Sequence, residues 1–322
     1  MKDLWIEKYR PKVLDDVVGQ PEIVERLKMY VGTTNMPHMM FAGPAGTGKT
    51  TCAIALSHQM FGDSWSNNFQ ELNASDQRGI DVVRKTIKDF ARTSPLGGTL
   101  FKIIFLDEAD ALTSDAQSAL RRTMEKYSAT CRFILSCNYS SKIIDPIQSR
   151  CAVFRFRQLL PEDVTIYINR IAEAEKIEIT EDGIQALLYV SGGDLRKATN
   201  VFQVASVLGT KVDSEAVYKT SSTGRPKDII DMMEVAISGK FTESRDILDR
   251  LLIDYGLSGE DIIRQMHRNV FEIDISEFGK VRFIDKMGEI EFRIIEGSNS
   301  RIQIESLLAY FSLVGKEFMK RV

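Results

Sequence analysis

The residues Gly43-Pro44-Ala45-Gly46-Thr47-Gly48-Lys49-Thr50 fit the pattern G-x-x-x-x-G-K-[ST], and the chemistry of that pattern is anion capture. Glycines let backbone N–H groups wrap a phosphate, and a helix starting nearby adds partial positive charge at the same point. Lys49 can neutralise the β- and γ-phosphates of a nucleoside triphosphate while the Thr50 hydroxyl holds Mg2+. Further along, Ile103-Ile104-Phe105-Leu106-Asp107-Glu108 ends an apolar run on two carboxylates. At a strand end such a pair puts Asp107 at the metal, as a ligand through its shell, and Glu108 at the attacking water, to orient or deprotonate it. An acidic pair alone is a common solvated strand end; beside an intact phosphate loop it points to hydrolysis rather than simple binding. Phe133-Ile134-Leu135-Ser136-Cys137 then ends at Asn138. Its neutral amide can bridge the γ-phosphate and the water, or serve equally well as a turn former before Tyr139-Ser140-Ser141.

Such groups converge only if rigid elements carry them. Met39-Met40-Phe41-Ala42, Phe69-Gln70-Glu71-Leu72, Ile103-Ile104-Phe105-Leu106 and Phe133-Ile134-Leu135-Ser136 read as buried strands alternating with helical patterns. That alternation predicts an α/β fold with a parallel sheet covered on both faces. Ala152-Val153-Phe154-Arg155-Phe156 reads as a fifth strand, after which strands stop. Helical patterns follow over 164–174, 181–190 and 195–208, and the polar stretch Ser221-Ser222-Thr223-Gly224-Arg225-Pro226 reads as a linker. Beyond it the pattern is helical to the end, with Ile304, Leu307, Leu308, Phe311 and Leu313 on a terminal amphipathic helix.

The chain has 322 residues, enough for two or three domains, with 43 % hydrophobic and 27 % charged residues as in globular proteins with real cores. No apolar run approaches the roughly 20 residues that span a bilayer. The N-terminal residues lack the layout of a signal peptide, so a cytoplasmic location and no membrane partner are expected. Cys52, Cys131, Cys137 and Cys151 form no CxxC pair and sit in or beside apolar stretches, which favours reduced, buried thiols. His38, His58 and His267 are scattered and suggest no metal cluster. A formal charge of −3 gives no global sign of nucleic-acid binding, although phosphate contacts need only a local basic face.

The order of these elements resembles the AAA+ ATPases. Five further stretches resemble the box motifs of the replication factor C family of clamp loaders, in its archaeal small-subunit branch. They are Trp5-Ile6-Glu7-Lys8-Tyr9-Arg10-Pro11, Glu71-Leu72-Asn73-Ala74-Ser75-Asp76-Gln77-Arg78-Gly79-Ile80, Ala119-Leu120-Arg121-Arg122-Thr123-Met124-Glu125, Ser149-Arg150-Cys151 and Gly192-Gly193-Asp194-Leu195-Arg196-Lys197. The resemblance runs along essentially the whole chain and is most specific over residues 1–200. One departure is Ala45, where the family more often has a second proline, with no evident mechanistic consequence.

The resemblance implies a Rossmann-like AAA+ P-loop module over 1–160, a helical lid over 161–222 and an all-helical collar over 223–322. It implies ATP as substrate and Mg2+ as cofactor, held by Gly43, Pro44, Ala45, Gly46, Thr47, Gly48, Lys49, Thr50 and Thr51. Arg10, Val17 and Val18 are similar to the part that closes over adenine. Arg196 looks like the lid arginine that senses nucleotide in its own subunit, and Arg150 like an arginine finger acting in trans on a neighbour's γ-phosphate. Taken alone, Arg150 reads as a surface ion-pair residue and Arg196 as a lid–core ion pair. Implied partners are a replication factor C large subunit, further small-subunit copies in a pentameric ring, the sliding clamp (proliferating cell nuclear antigen) and primer–template DNA. A different AAA+ motor and a non-catalytic scaffold subunit are the rival readings; intact Lys49, Asp107 and Glu108 oppose the second.

Two helices are expected to carry basic faces. Over 79–92, Ile80, Val83, Ile87 and Phe90 form an apolar stripe, with Arg84, Lys85, Lys88 and Arg92 away from it. Another helix is expected to start at a capping box, Ser114-Asp115-Ala116-Gln117, with Ala116, Leu120, Met124 and Tyr127 facing the core. Basic helix faces are commonly just solvated. The resemblance instead assigns Arg78, Arg84, Lys88 and Lys142 to DNA phosphates, and without interleaved aromatics no base reading is expected.

Overall fold

The apolar runs become five short strands, β1 (His38–Ala42), β2 (Phe69–Asn73), β3 (Lys102–Asp107), β4 (Cys131–Cys137) and β5 (Cys151–Arg155). They pair in the order β2-β3-β4-β1-β5, and every pairing is parallel. The computed structural model describes residues 4–33, 35–75, 83–207, 209, 211–221 and 223–318, with the backbone alone at 83–84 and 316–318. Arg78 lies outside the described residues, as does the side chain of Arg84.

The helices of the first half are α1 (Trp5–Lys8), α2 (Pro21–Lys28), α3 (Lys49–Phe61), α4 (Trp65–Asn68), α5 (Lys88–Arg92), α6 (Ser114–Lys126) and α7 (Asp145–Gln148). Because side chains alternate along a strand, successive residues serve opposite cores. Met39, Phe41, Ile103, Phe105 and Ile134 meet Leu27 of α2 and Cys52 and Leu56 of α3 on one face. Met40, Ile104, Leu106, Phe133 and Leu135 meet Leu120 and Met124 of α6 and Ala91 of α5 on the other. The interior strands are therefore apolar on both sides. The expectation of a fully buried β2 fails, since it lies at the sheet edge and only Phe69 among its residues is buried. The four cysteines are free, three of them buried, and burial pushes the Cys52 thiol up to about 12.

Three other expectations need correction. The helix expected over 79–92 is not one α-helix: Val83–Ile87 is a π-helical turn that runs into α5. The cap of α6 is Thr113, whose side chain accepts the Ala116 N–H, so Ser114 is already in the first turn. Gln117 is drawn inward instead of closing a capping box. Its buried amide donates to the Lys142 carbonyl at 3.0 Å and accepts the Ile144 N–H at 2.9 Å, which offsets the cost of burying it. Finally, Leu313 is 80 % exposed while Ile304, Leu307, Leu308 and Phe311 are fully buried. Two residues beyond Phe311 is about 200° around a helix, which carries Leu313 off the apolar face.

After β5 the chain forms α8 (Pro161–Glu175), α9 (Glu181–Ser191) and α10 (Leu195–Ala205), but strands do not stop there as expected: two two-residue strands, Glu178–Ile179 and Lys211–Val212, pair as a second small sheet. The molecule falls into two compact units, Met1–Lys211 and Val212–Val322, a division that precedes the polar stretch starting at Ser221. Among the described residues the elements of the second unit after Val212 are helical: α11 (Ser214–Thr220), α12 (Pro226–Ile237), α13 (Phe241–Ile253), α14 (Gly259–Asn269), α15 (Glu277–Ile295) and α16 (Ser300–Phe318). Its core centres on Met232, Met233, Met266, Phe283 and Phe311, with the last two rings stacked at 4.0 Å.

One buried acceptor in the first unit makes a testable prediction. His38 Nδ1 accepts the Phe133 N–H at 3.1 Å, and burial, aided by the Arg132 charge, lowers the His38 pKa from 6.5 to about 4. Between these pH values the unfolded chain binds a proton that the folded chain rejects, so stability is full above pH 6.5 and falls towards pH 4. The loss attributable to this group is up to about 3 kcal/mol. His38→Asn retains an acceptor that does not titrate. In urea denaturation, the stability difference between pH 7.5 and pH 5 should be smaller for the variant than for the parent.

Candidate active site

The five strands of this sheet are parallel, so their carboxyl ends share one rim, and the phosphate loop leaves it from β1, between β4 and β5. Gly43, Gly46 and Gly48 have φ values of 155°, 68° and 95°, conformations that favour glycine. Gly43 N–H donates to the Cys137 carbonyl at 3.1 Å, and a Cβ at this glycine would collide with the Phe156 carbonyl. Thr47 is buried and bonds Pro44 O at 2.9 Å, so it shapes the loop. The α3 helix begins at Lys49, which aims its unpaired backbone N–H groups into the loop.

Lys49 is buried, and its ammonium donates to Gly43 O and Pro44 O, both at 2.7 Å, and to Asn138 Oδ1 at 3.3 Å. Burial lowers its pKa, with the nearby Asp107 charge working in the opposite direction. Thr50 Oγ1 donates to Asp107 Oδ2 at 3.1 Å, bringing two hard oxygen donors together at the ends of α3 and β3. This donor set fits Mg2+, which takes one or two protein oxygens and completes its shell with phosphate and water. Among the described residues no cluster of three or more His, Cys, Asp or Glu side chains is placed to hold a metal ion. Glu108 has φ 51°, uncommon for a non-glycine residue, and its N–H donates to Asp107 Oδ1 at 3.0 Å. The chain thus turns sharply after β3 and leaves the Glu108 side chain at the open rim.

One cleft is lined by Ala45, Gly46, Gly48, Lys49, Thr50, Thr51, Asp107, Glu108 and Asn138, and also by Arg10, Val17, Val18 and Arg196. The N-terminal segment is held at the cleft by the buried Trp5 ring, packed against Phe202 of α10 at 5.3 Å, and by polar contacts at both ends. Tyr9 Oη donates to Glu175 on α8 at 2.7 Å, Trp5 N–H donates to Gln203 on α10 at 3.1 Å, and Gln20 exchanges amide bonds with the Arg157 backbone at 2.6 and 3.2 Å. Arg10 is paired with Glu7 at 2.6 Å. Sequence reasoning missed Ile6, Pro11, Tyr167, Leu195 and Thr199, which also line the cleft. Ile6 and Pro11 lay in a motif already singled out; Tyr167 and Thr199 sit on ordinary helical patterns that carried no signal.

Arg150 does not line this cleft. It stands just before β5, its Nη2 2.7 Å from Glu125 Oε1 and its Nη1 donating to Pro146 O at 2.7 Å. Lys88 and Lys142 are exposed, the latter over the Tyr139 ring at 5.2 Å.

Residues 39–159 match the AAA family model (ATPase family associated with various cellular activities), and residues 224–310 match the replication factor C C-terminal domain. A replication factor C small subunit from Archaeoglobus fulgidus is 56 % identical over 98 % of this chain and 99 % of its own length. Those of Methanocella arvoryzae and Haloarcula marismortui are 57 % and 58 % identical, over 97 % and 96 % of this chain and 97 % and 94 % of theirs. The chain belongs to the replication factor C small subunit family. As a member of it, the chain is an AAA+ ATPase. The RuvB Holliday junction branch migration motor of Thermotoga maritima has a similar fold, with a TM-score of 0.56 at 18 % identity, covering 78 % of this chain and 86 % of that one. At that identity the likeness concerns the fold alone. Among the described residues no helix is long and apolar enough to cross a membrane.

A hydrogen bond joins the start of α10 to the phosphate loop. The Leu195 N–H donates to Gly46 O at 3.2 Å, while the Asp194 carboxylate caps α10 by accepting the Lys197 N–H at 3.1 Å. A Cβ at Gly46 would fall inside that carboxylate. Gly46→Ala should therefore weaken ATP binding by at least about tenfold, or about 1.4 kcal/mol, in a fluorescent-nucleotide titration. Adding Asp194→Ala should recover part of the loss, the remainder being the strain of alanine at positive φ.

Proposed function

We propose that this chain is the catalytic small subunit of a sliding-clamp loader, in which ATP binding shapes a subunit spiral that opens the clamp. Primer–template DNA then aligns the active sites, and hydrolysis releases the closed clamp on DNA. The reading is supported by a phosphate loop, an acidic strand end, the Asn138 amide and a lid arginine around one cleft, in a chain that also matches a replication factor C C-terminal domain. Its partners are a large subunit, further small-subunit copies in a five-membered ring, and the clamp, proliferating cell nuclear antigen. Residues 1–160 act as nucleotide-binding module, 161–222 as lid and 223–322 as collar. The site of action is the cytoplasm, at the nucleoid.

In this reading the loop N–H groups and Lys49 bind the triphosphate, and Lys49 exchanges its carbonyl partners for β- and γ-phosphate oxygens. Thr50 and Asp107 hold Mg2+, which neutralises charge on the phosphates when bound. Glu108 orients and deprotonates the attacking water, and Asn138 holds that water against the γ-phosphate. Val17, Val18 and Arg10 cover the base, while Arg196 reports the nucleotide to the lid. Arg150 serves the neighbouring subunit's γ-phosphate.

The experiment that tests assembly and chemistry together mixes two inactive variants. Arg150→Ala should retain ATP binding and lose clamp- and DNA-stimulated hydrolysis by about 10³-fold or more. Lys49→Ala should lose binding. Mixed in one loader, they form interfaces that pair a working P-loop with a working finger, so phosphate release should exceed the sum of the separate variants. Activity no higher than that sum, with mixed assembly verified by native mass, returns Arg150 to a structural ion pair.

Arg78, Arg84, Lys88 and Lys142 are proposed to grip DNA by its phosphates. Replacing Arg84 and Lys88 by Glu should weaken binding equally for unrelated sequences. Each lost phosphate contact should reduce the slope of log affinity against log salt by about 0.9 on duplex DNA. ATP affinity without DNA should not change. An unchanged salt slope places these residues away from DNA.

A further inference from the structure

We infer that Glu125 is the positioning residue for Arg150; this rests on the reading of Arg150 as a finger for the neighbouring subunit. Glu125 stands in the last turn of α6, where a carboxylate is opposed by the negative end of the helix dipole. Its partner on the same helix, Arg121, is four residues earlier and 3.6 Å away, the less favourable order for such a pair. Helix stability therefore gives no reason for a carboxylate here. The close contact is across elements: Glu125 Oε1 to Arg150 Nη2 at 2.7 Å, with Nη1 held on Pro146 O at 2.7 Å and near Ser149 Oγ at 3.4 Å.

Carboxylate on one side and helix-end carbonyl on the other hold the guanidinium in one orientation. A guanidinium has five N–H donors, so further donors can still meet a phosphate. All three charged side chains are 37–40 % exposed, and an ion pair in such a setting shifts an equilibrium by no more than about fivefold. The hold is strong enough to bias the rotamer of Arg150 and weak enough to yield to a neighbour's triphosphate. Arg121 already shares the carboxylate, so Glu125 keeps a cationic partner when Arg150 turns to the phosphate.

The test uses the reconstituted loader with clamp and primer–template DNA. Glu125→Gln keeps the shape and removes the charge, and it should lower stimulated kcat by about fivefold with KM for ATP unchanged. The defect should belong to the neighbour. When Glu125→Gln subunits are mixed with Lys49→Ala subunits, the rate per Glu125→Gln subunit should rise, because some now receive an unperturbed Arg150 from a Lys49→Ala neighbour. Arg150→Ala combined with Glu125→Gln should be no slower than Arg150→Ala alone. A wild-type kcat in Glu125→Gln, or a rate per subunit that does not rise on mixing, overturns the assignment of Glu125. The Arg150→Ala and Lys49→Ala mixture, run in parallel, shows separately whether the finger reading holds.

Discussion

A highly charged triphosphate must be held where backbone N–H groups have no partner of their own, and the first unit is arranged around that constraint. Parallel pairing collects the carboxyl ends of β1, β3 and β4 on one rim, and α3 starts there with its positive end towards the loop. The loop cannot take side chains at its turning points, because a Cβ at Gly43 or Gly46 meets the Phe156 carbonyl or the Asp194 carboxylate. Lys49 satisfies its ammonium on the loop's own carbonyls and on Asn138.

The contacts around the cleft combine apolar packing with hydrogen bonds. Two apolar cores sandwich the sheet and make it rigid, so Asp107 and Asn138 stand on elements that cannot shift independently. The N-terminal segment packs the buried Trp5 ring against Phe202 of α10 and Leu14 into the core, and hydrogen bonds add to this: Tyr9 to Glu175, Trp5 to Gln203, Leu195 to Gly46. Net hydrogen bonds of this kind contribute about 1 kcal/mol each, far less than the burial of a large apolar side chain. The overall charge is acidic, yet the cleft is lined by the cations Lys49, Arg10 and Arg196.

Much of this was legible in the chain. The alternation of short apolar runs with helical patterns determined an α/β fold with a parallel sheet, since only strands covered on both faces can be apolar throughout. The G-x-x-x-x-G-K-T spacing and the Asp-Glu strand end determined phosphate chemistry, because backbone conformation and charge at those residues are local properties. Tertiary structure decided what depends on distant partners. It put β2 at the sheet edge, so alternate residues there meet solvent. It drew Gln117 inward to two backbone partners from the segment after β4, moving the cap of α6 to Thr113. It brought Tyr167 and Thr199 from unremarkable helices to the cleft and set Arg150 against Glu125, neighbours far apart in sequence. A period or a motif reports which face a residue occupies on its own element; which other element that face meets is set by how the elements pack.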